Sequence, residues 1–241
     1  MPAIDTAAPC IPGSAAPRPL ELYPSLWAIA SDVPLSRYGP ERLEAHLHDL
    51  DWVAEIGVCH EAVIERVAAL RGATVVPMKL FTMFSTTARA LEDLRGRRRD
   101  ISAILRRVRG CQEWGVRVTQ RASAPSHKKT APTVSSGTAF LAAKKRARDE
   151  AHDRLARSGA AAEEAFASLS AHARATVRRE PPNAATSPPL VDAAFLVSTA
   201  CRARFRAAAT RAAAACRDAG AALSVTGPWA PYNFIAETRS R

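Results

Sequence analysis

Aromatic residues are scarce in this chain: phenylalanine, tryptophan and tyrosine make up 6 % of its 241 positions. The apolar share of 47 % leans on alanine instead. Alanine favours helix but buries little area per residue. That combination predicts helices over modest cores, with the few rings at the main packing points. Cysteine is sparse as well. Cys10, Cys59, Cys111, Cys201 and Cys216 contain no CxxC pair, and an odd count argues against a complete disulfide framework. This usage fits a reducing, cytoplasmic setting. No apolar run reaches the roughly 18 residues of a membrane span, and the alanine-rich stretch 207–216 is interrupted by Arg211. The opening MPAIDTAAPCIPGSAAPRP has neither a basic start nor an apolar centre, so it does not read as a signal peptide. It reads as a disordered lead-in over residues 1–20.

Catalytic signatures are also missing. No GxGxxG, GxxxxGK[ST] or GxSxG occurs. His46 and His48 are one residue apart, and Cys59 and His60 are adjacent; on a helix neither spacing converges ligands on one face. No metal or cofactor is indicated. A nucleophilic pair such as Cys59 with His46 rests on residue type alone, and a packed helix cysteine is the commoner case. Glu41, Glu44, Asp49, Asp51 and Glu55 have the spacing of a helix's polar face.

What the sequence has is positive charge. The net charge is +11 and the pI about 10.2. Two basic clusters stand out: Arg95, Arg97, Arg98 and Arg99, continued by Arg106, Arg107 and Arg109; and Lys144, Lys145, Arg146 and Arg148. Arg97, Arg98 and Arg99, with Lys144, Lys145 and Arg146, are candidate partner-binding faces. Each cluster suits phosphates or an acidic protein surface. No aromatic residue is interleaved to stack on bases, and Asp149, Glu150 and Asp153 directly follow the second cluster. Solvated helix faces are the plain alternative.

Along the chain, SLWAIASDVPLS (25–36) predicts a strand and a proline turn. Apolar residues at helical spacing predict helices from Tyr38 to Leu70. ATVVPMKLFTMF (73–84) reads as a buried strand with Pro77 at an edge, and EWGVRVTQ (113–120) as a half-buried strand. Between them, 87–108 is helical. Residues 122–136 read as a linker, about 137–175 as long helix, 191–199 as strand, 205–219 as helix and 221–226 as a last strand. That strand leads into TGPWAPYNF (226–234). Pro228 and Pro231 forbid helix there, and Gly227 allows a sharp turn. The stiff strap then carries Trp229, Tyr232 and Phe234, which are expected to close the core of the second half.

A strand followed by TGPW-x-PY-x-F resembles the GvpL/GvpF family of gas vesicle proteins. SLWAIASDVPLS, HEAVIERV, VVPMKLFTMF, EWGVRV, SGTAFLAAKK and VDAAFLV resemble further family segments in the same order, over about residues 22–235. The motif positions are Pro77, Phe81, Glu113, Trp114, Gly115, Gly227, Pro228, Trp229, Pro231, Tyr232 and Phe234. Three departures are visible. In PMKLFT (77–82), with Lys79 and Leu80, the glycine of the family's PlrFGt run is replaced or shifted, so a different turn is expected there. Asp192 stands where the family usually has asparagine. LELYP (20–24) is the sole candidate for the family's first strand, and Pro24 breaks it. The resemblance implies an α+β protein of two domains: a ferredoxin-like one over 21–121, possibly missing its first strand, and a helix-rich one over 137–235, followed by a tail, 236–241. It also implies a non-enzymatic accessory or minor structural protein of gas vesicle assembly, in the cytoplasm at the vesicle. Its partners would be the vesicle shell protein and other accessory proteins, with no membrane and no cofactor. A basic nucleic-acid-binding protein and a Cys/His enzyme are the alternatives.

Overall fold

The computed structural model describes residues 11–121, 137–180 and 188–235. The linker 122–136, residues 1–10 of the lead-in, residues 181–187 and the tail 236–241 lie outside these. The fold class is α+β, as the sequence implies. The chain divides into two compact units, one from the described parts of Met1–Gly110 and Ala230–Arg241, the other from those of Cys111–Trp229.

The first unit opens with a hairpin of β1 (Arg18–Tyr23) and β2 (Leu26–Ala30), antiparallel, with Arg18 opposite Ala30. LELY thus lies in a strand that pairs with the SLWAIA segment. Pro24 does not break it because it falls in the turn, where Ser25 takes a left-handed φ of 67°. Helices α1 (Leu35–Tyr38), α2 (Pro40–His46), α3 (Leu50–Ala68), α4 (Thr87–Gly96) and α5 (Arg98–Val108) follow. Asp49 caps α3 by accepting from the amides of Asp51 and Trp52, each at 3.1 Å. Thr86 caps α4 through the Arg89 amide. Trp52 lies between His46 and Phe81, with ring centroids 4.9 and 5.6 Å away. With Tyr38 and Ile56 it makes a small aromatic core. Burial raises the Tyr38 phenol above its ordinary pKa, and its hydroxyl donates to the Pro12 carbonyl at 2.7 Å.

Residues 73–84 are not the expected strand. Phe81 has φ 61°, which no extended strand accepts. The segment packs on α3 instead: Phe81 stacks on Trp52 and His60 Nε2 donates to the Met78 carbonyl at 3.2 Å. Its β-branched and aromatic residues serve side-chain packing, not a ladder.

The second unit runs β3 (Cys111–Gln120), α6 (Gly137–Ser170), β4 (Ala175–Arg178), β5 (Val191–Ser198), α7 (Arg202–Asp218) and β6 (Ala221–Trp229). Its sheet is antiparallel in the order β4-β5-β3-β6. This is the split βαββαβ arrangement of a ferredoxin-like fold. The resemblance implies that arrangement over 21–121, with 113–120 as its last strand. Here 113–120 is an interior strand of the later sheet, because it pairs with both β5 and β6. The four-residue β4 falls where the long helix was expected to end.

The core follows from register. Trp114 opposes Phe195, Val116 opposes Ala193 and Val118 opposes Val191. All six point to the face covered by α6 and α7. The facing helix surfaces are mostly small: Ala162 and Ala165 on α6, Ala208, Ala209 and Ala212 on α7. Phe166 and Phe205 contact the Phe195 ring at 5.6 and 5.5 Å. Ser158, fully buried in mid-α6, donates to the Ala219 carbonyl at 2.8 Å and so satisfies the C-terminal end of α7. Phe195→Ala leaves a ring-sized cavity among poorly compressible neighbours. It should cost about 3–5 kcal/mol, read as a lowered midpoint in urea unfolding.

Candidate functional site

The strap is fixed where it leaves the sheet. Gly227 has φ 111°, and a Cβ there would sit 2.8 Å from the Glu113 carbonyl oxygen. Only glycine lets β6 cross β3 this closely, with Glu113 paired to Trp229. The Gly227–Pro228 bond is cis. Trp229 is 43 % exposed; its ring does not close the second core, as the sequence reading expected. The alternation of β6 explains this, since Ala221 and Leu223 take the core positions before the strand runs past the helices. Pro231, Tyr232 and Phe234 belong to the first unit. There the Tyr232 hydroxyl contacts Glu61 Oε2, Arg107 donates to the Phe234 carbonyl, and the Phe234 side chain is buried. The strap's rings therefore serve different surroundings.

Of the remaining motif positions, Pro77 is fully buried, Phe81 stacks on Trp52 and Trp114 packs on Phe205 at 5.9 Å. Glu113 is buried at 3 % exposure. Gly115 lies opposite Ala194 and Thr226. A Cβ at Gly115 would meet the Thr226 hydroxyl at 2.6 Å and the Arg179 guanidinium at 3.4 Å. The bare glycine surface thus seats Arg179.

Arg179 leads to a cluster that sequence reasoning did not assemble. Asp192 on β5 is flanked by arginines from both neighbouring strands. Arg117, its cross-strand partner on β3, donates Nε and one terminal nitrogen to Oδ2 at 3.0 and 2.7 Å. Arg179, one residue beyond β4, donates Nε to Oδ1 at 2.7 Å, with a terminal nitrogen at 2.5 Å. The Asp192 side chain is 8 % exposed, against 59 % for Arg117 and 36 % for Arg179. Both carboxylate oxygens are satisfied by charge-assisted bonds. The signal in the sequence was Asp192 itself, in place of the family's asparagine: a nearly buried carboxylate needs cations on both sides.

The basic faces separate into committed and uncommitted charges. Arg95 donates to the Leu22 and Glu21 carbonyls, each at 3.2 Å. Arg97 pairs with Asp93 at 3.7 Å, and the Arg98 guanidinium sits 4.2 Å from the Tyr23 ring centroid. Arg99 is exposed. This cluster mostly ties α4 and α5 to the β1–β2 hairpin. Lys144, Lys145, Arg146 and Arg148, by contrast, are all exposed on the first half of α6.

No hydrogen bond joins Cys59 to His46 or His60 among the described residues. His46 is stacked on Trp52, and His60 is engaged with Met78. Burial raises the thiol pKa values of Cys111 and Cys216, which keeps both protonated and weakly nucleophilic. Among the described residues no three His, Cys, Asp or Glu side chains are grouped to hold a metal ion. No helix there is long and apolar enough to cross a membrane. Arg178 holds the Glu163 carboxyl below its ordinary value through paired bonds at 3.0 and 2.5 Å, while its guanidinium covers Phe166.

Two mutational outcomes follow. Gly227→Ala forces a β-carbon onto a carbonyl oxygen at a left-handed φ and should cost about 2–3 kcal/mol; Trp229→Ala, at an exposed ring, should cost under about 1 kcal/mol. Thermal and urea unfolding of the two variants side by side would show the order. Asp192→Ala strands two arginines and should cost about 2 kcal/mol, while Asp192→Asn keeps an acceptor on one side and should cost about half that. Urea unfolding curves in low salt would check both.

The comparisons with known proteins agree with the family resemblance. The model of the family described as gas vesicle synthesis protein GvpL/GvpF matches residues 13–236. Gas vesicle protein L of Streptomyces sp. strain CB03234 is 31 % identical over 238 residues, covering 93 % of this chain and 86 % of that protein. Two crystal structures share the fold. GvpF from Anabaena sp. PCC7120 aligns with a TM-score of 0.57 at 15 % identity, over 78 % of this chain and 77 % of its own. GvpF from Microcystis aeruginosa aligns with a TM-score of 0.59 at 12 % identity, over 92 % and 89 %. The family is one of gas vesicle synthesis and not a known enzyme family. By the extent of the family match and the identity to a curated relative, this chain belongs to the GvpL/GvpF family and has a gas vesicle-associated role.

Proposed function

We propose that this protein acts in gas vesicle assembly by binding, holding an apolar shell subunit or another accessory protein while the shell grows. The observation that carries this is an unburied apolar stripe on α3. Leu50, Ala54 and Val58 recur at i, i+4 and i+8, all exposed, Leu50 at 79 % and Val58 at 70 %. Leu47 lies one turn before, at 46 %. Opposite them on the same helix, Trp52, Ile56 and Ile64 take the core positions. The helix is thus apolar on two faces and buries one. A contiguous exposed apolar patch of this kind marks an interaction surface. The nucleic-acid reading loses its first cluster to internal contacts, and the enzyme reading lacks an assembled nucleophile.

The direct test is retention of the vesicle shell protein by the immobilised full chain. We expect the wild type to retain it. The double variant Leu50→Ser, Val58→Ser should lose at least about tenfold in affinity, roughly 1.4 kcal/mol, with an unchanged melting temperature. Absence of retention by well-folded wild type, against both the shell protein and the accessory proteins encoded beside it, would overturn the reading.

A further inference from the structure

The open face of α3 is a seam with a glycine in it. Leu50, Ala54, Gly57 and Val58 stand at i, i+4, i+7 and i+8, the spacing of a helix's packing stripe. The first two and Val58 are exposed, and Gly57 partly so. The buried stripe, through Trp52 and Ile56, lies on the other side of the helix. Gly57 sits inside a 19-residue helix, where glycine is destabilising against alanine. A Cβ there would meet nothing within 4 Å. No contact among the described residues therefore calls for glycine at this position. With Ala54 nearly one turn before it, Gly57 leaves a notch beside Val58, where a second helix can come close.

The charge beside this seam is of one sign. Asp51 and Glu55 stand about 90° round the helix from the line of Leu50, Ala54 and Val58, both on the same side, and Glu65 follows about two turns beyond Val58. All three are exposed, and none makes an ion pair among the described residues. Arg37, which with Glu55 acts on the Tyr38 phenol, is held over that ring, 6.0 Å from its centroid. Residues 41–65 carry seven acidic side chains and one basic, Arg42, in a chain whose net charge is +11. Within one helix this arrangement is unfavourable. Asp51 and Glu55, like Glu61 and Glu65, are like charges at i,i+4, and Glu65 is an anion near the C-terminal end. A solvated face elsewhere in the same unit mixes its signs, as Arg89–Glu92 and Arg97–Asp93 do at α4.

The seam fits an apolar partner, and the acidic flank selects among apolar partners. It repels the phosphates of nucleic acid and anionic lipid. It attracts cations at short range, against an overall positive charge that disfavours them at long range. We propose that the Leu50–Val58 face docks a cationic amphipathic helix of the partner, its apolar residues on the seam and its basic residues against Asp51, Glu55 and Glu65. Lysine and arginine stems are long enough to reach that flank from a helix seated on the seam. The proposal rests on the reading of this face as the docking surface, and adds the chemistry of what it takes.

The test is the anisotropy of a labelled helical peptide of about 18 residues, titrated with the full chain to about 1 mM. The peptide has leucine and alanine on one face and lysine along both edges; its control has glutamine in place of lysine. We expect the lysine peptide to bind at least about fivefold tighter in low salt, with the difference lost in about 0.5 M salt. Asp51→Lys, Glu55→Lys, Glu65→Lys together should reverse the order. Leu50→Ser, Val58→Ser should lose both peptides. Gly57→Gln should bind both at least about fivefold more weakly while melting no lower than the wild type; a merely structural glycine would lower melting and binding together. Equal binding of the two peptides, binding indifferent to the triple variant or to Gly57→Gln, or no binding at all would overturn the proposal. So would self-association of the chain alone that Leu50→Ser, Val58→Ser removes, since that gives the face to a second copy. Shell protein retained without a lysine preference overturns this proposal and leaves the shell-binding reading standing. A lysine preference without shell retention supports this proposal and overturns only the shell assignment.

Discussion

The pairing register between β3 and β5 is the constraint on which the second unit depends. With Trp114 opposite Phe195 and Val116 opposite Ala193, one face carries the rings and branched residues that α6 and α7 cover. The same register leaves Gly115, Arg117 and Asp192 on the other face. A slip of one residue would exchange the two sets, driving Arg117 and Asp192 against the helices and exposing the Phe195 ring. Each set thus penalises the wrong register by a different route, apolar burial on one side and charge desolvation on the other. The Asp192 pairing is specific in the same sense. A carboxylate 8 % exposed is tolerable only where strands β3 and β4 bring both arginines to it.

Alternation of this kind is what a single sequence conveys well. EWGVRVTQ and VDAAFLVST were legible as strands because their apolar residues alternate or run unbroken, and α7 was legible from its period and its closing glycine. The resemblance was carried by rigid positions of the same sort: Gly227 beside the Glu113 carbonyl, Gly115 under Arg179, and Pro77 in the core. What was not legible is which strands pair. EWGVRV carries no mark saying that its neighbours are β5 and β6, so the ferredoxin-like order was assigned to the wrong half. Strand β4 has four residues, too few for a periodic signal. In ATVVPMKLFTMF, β-propensity described side chains that pack on Trp52 and said nothing of the left-handed φ at Phe81.

The strap shows how a correct local reading leads to a wrong assignment of partners. Its prolines and glycine do forbid helix, and its rings are mostly placed for packing. Yet Trp229 ends a sheet strand in one unit while Tyr232 and Phe234, a few residues on, make their contacts in the other. The composition of nine residues cannot say which ring stays exposed in one unit and which are placed in the other. The division follows the end of the ladder with β3 at Trp229, just past the register shift beside Gly227.

The net charge of +11 is likewise not one property but two. Arginines around Arg95–Arg98, with Arg117, Arg178 and Arg179, are spent on backbone carbonyls, aromatic faces and single carboxylates, where a planar five-donor fork suits each task. Charge used this way stabilises local geometry and contributes little long-range field, since a nearby acceptor or screening water offsets it. The Lys144–Arg148 block differs in kind: two of its four cations are lysines, point charges on flexible stems, set on a helix that outruns its sheet. Arginine here builds the fold, while the Lys144–Arg148 block leaves its charge exposed on α6, where a change of charge alters the electrostatic energy without first dismantling the protein's own contacts.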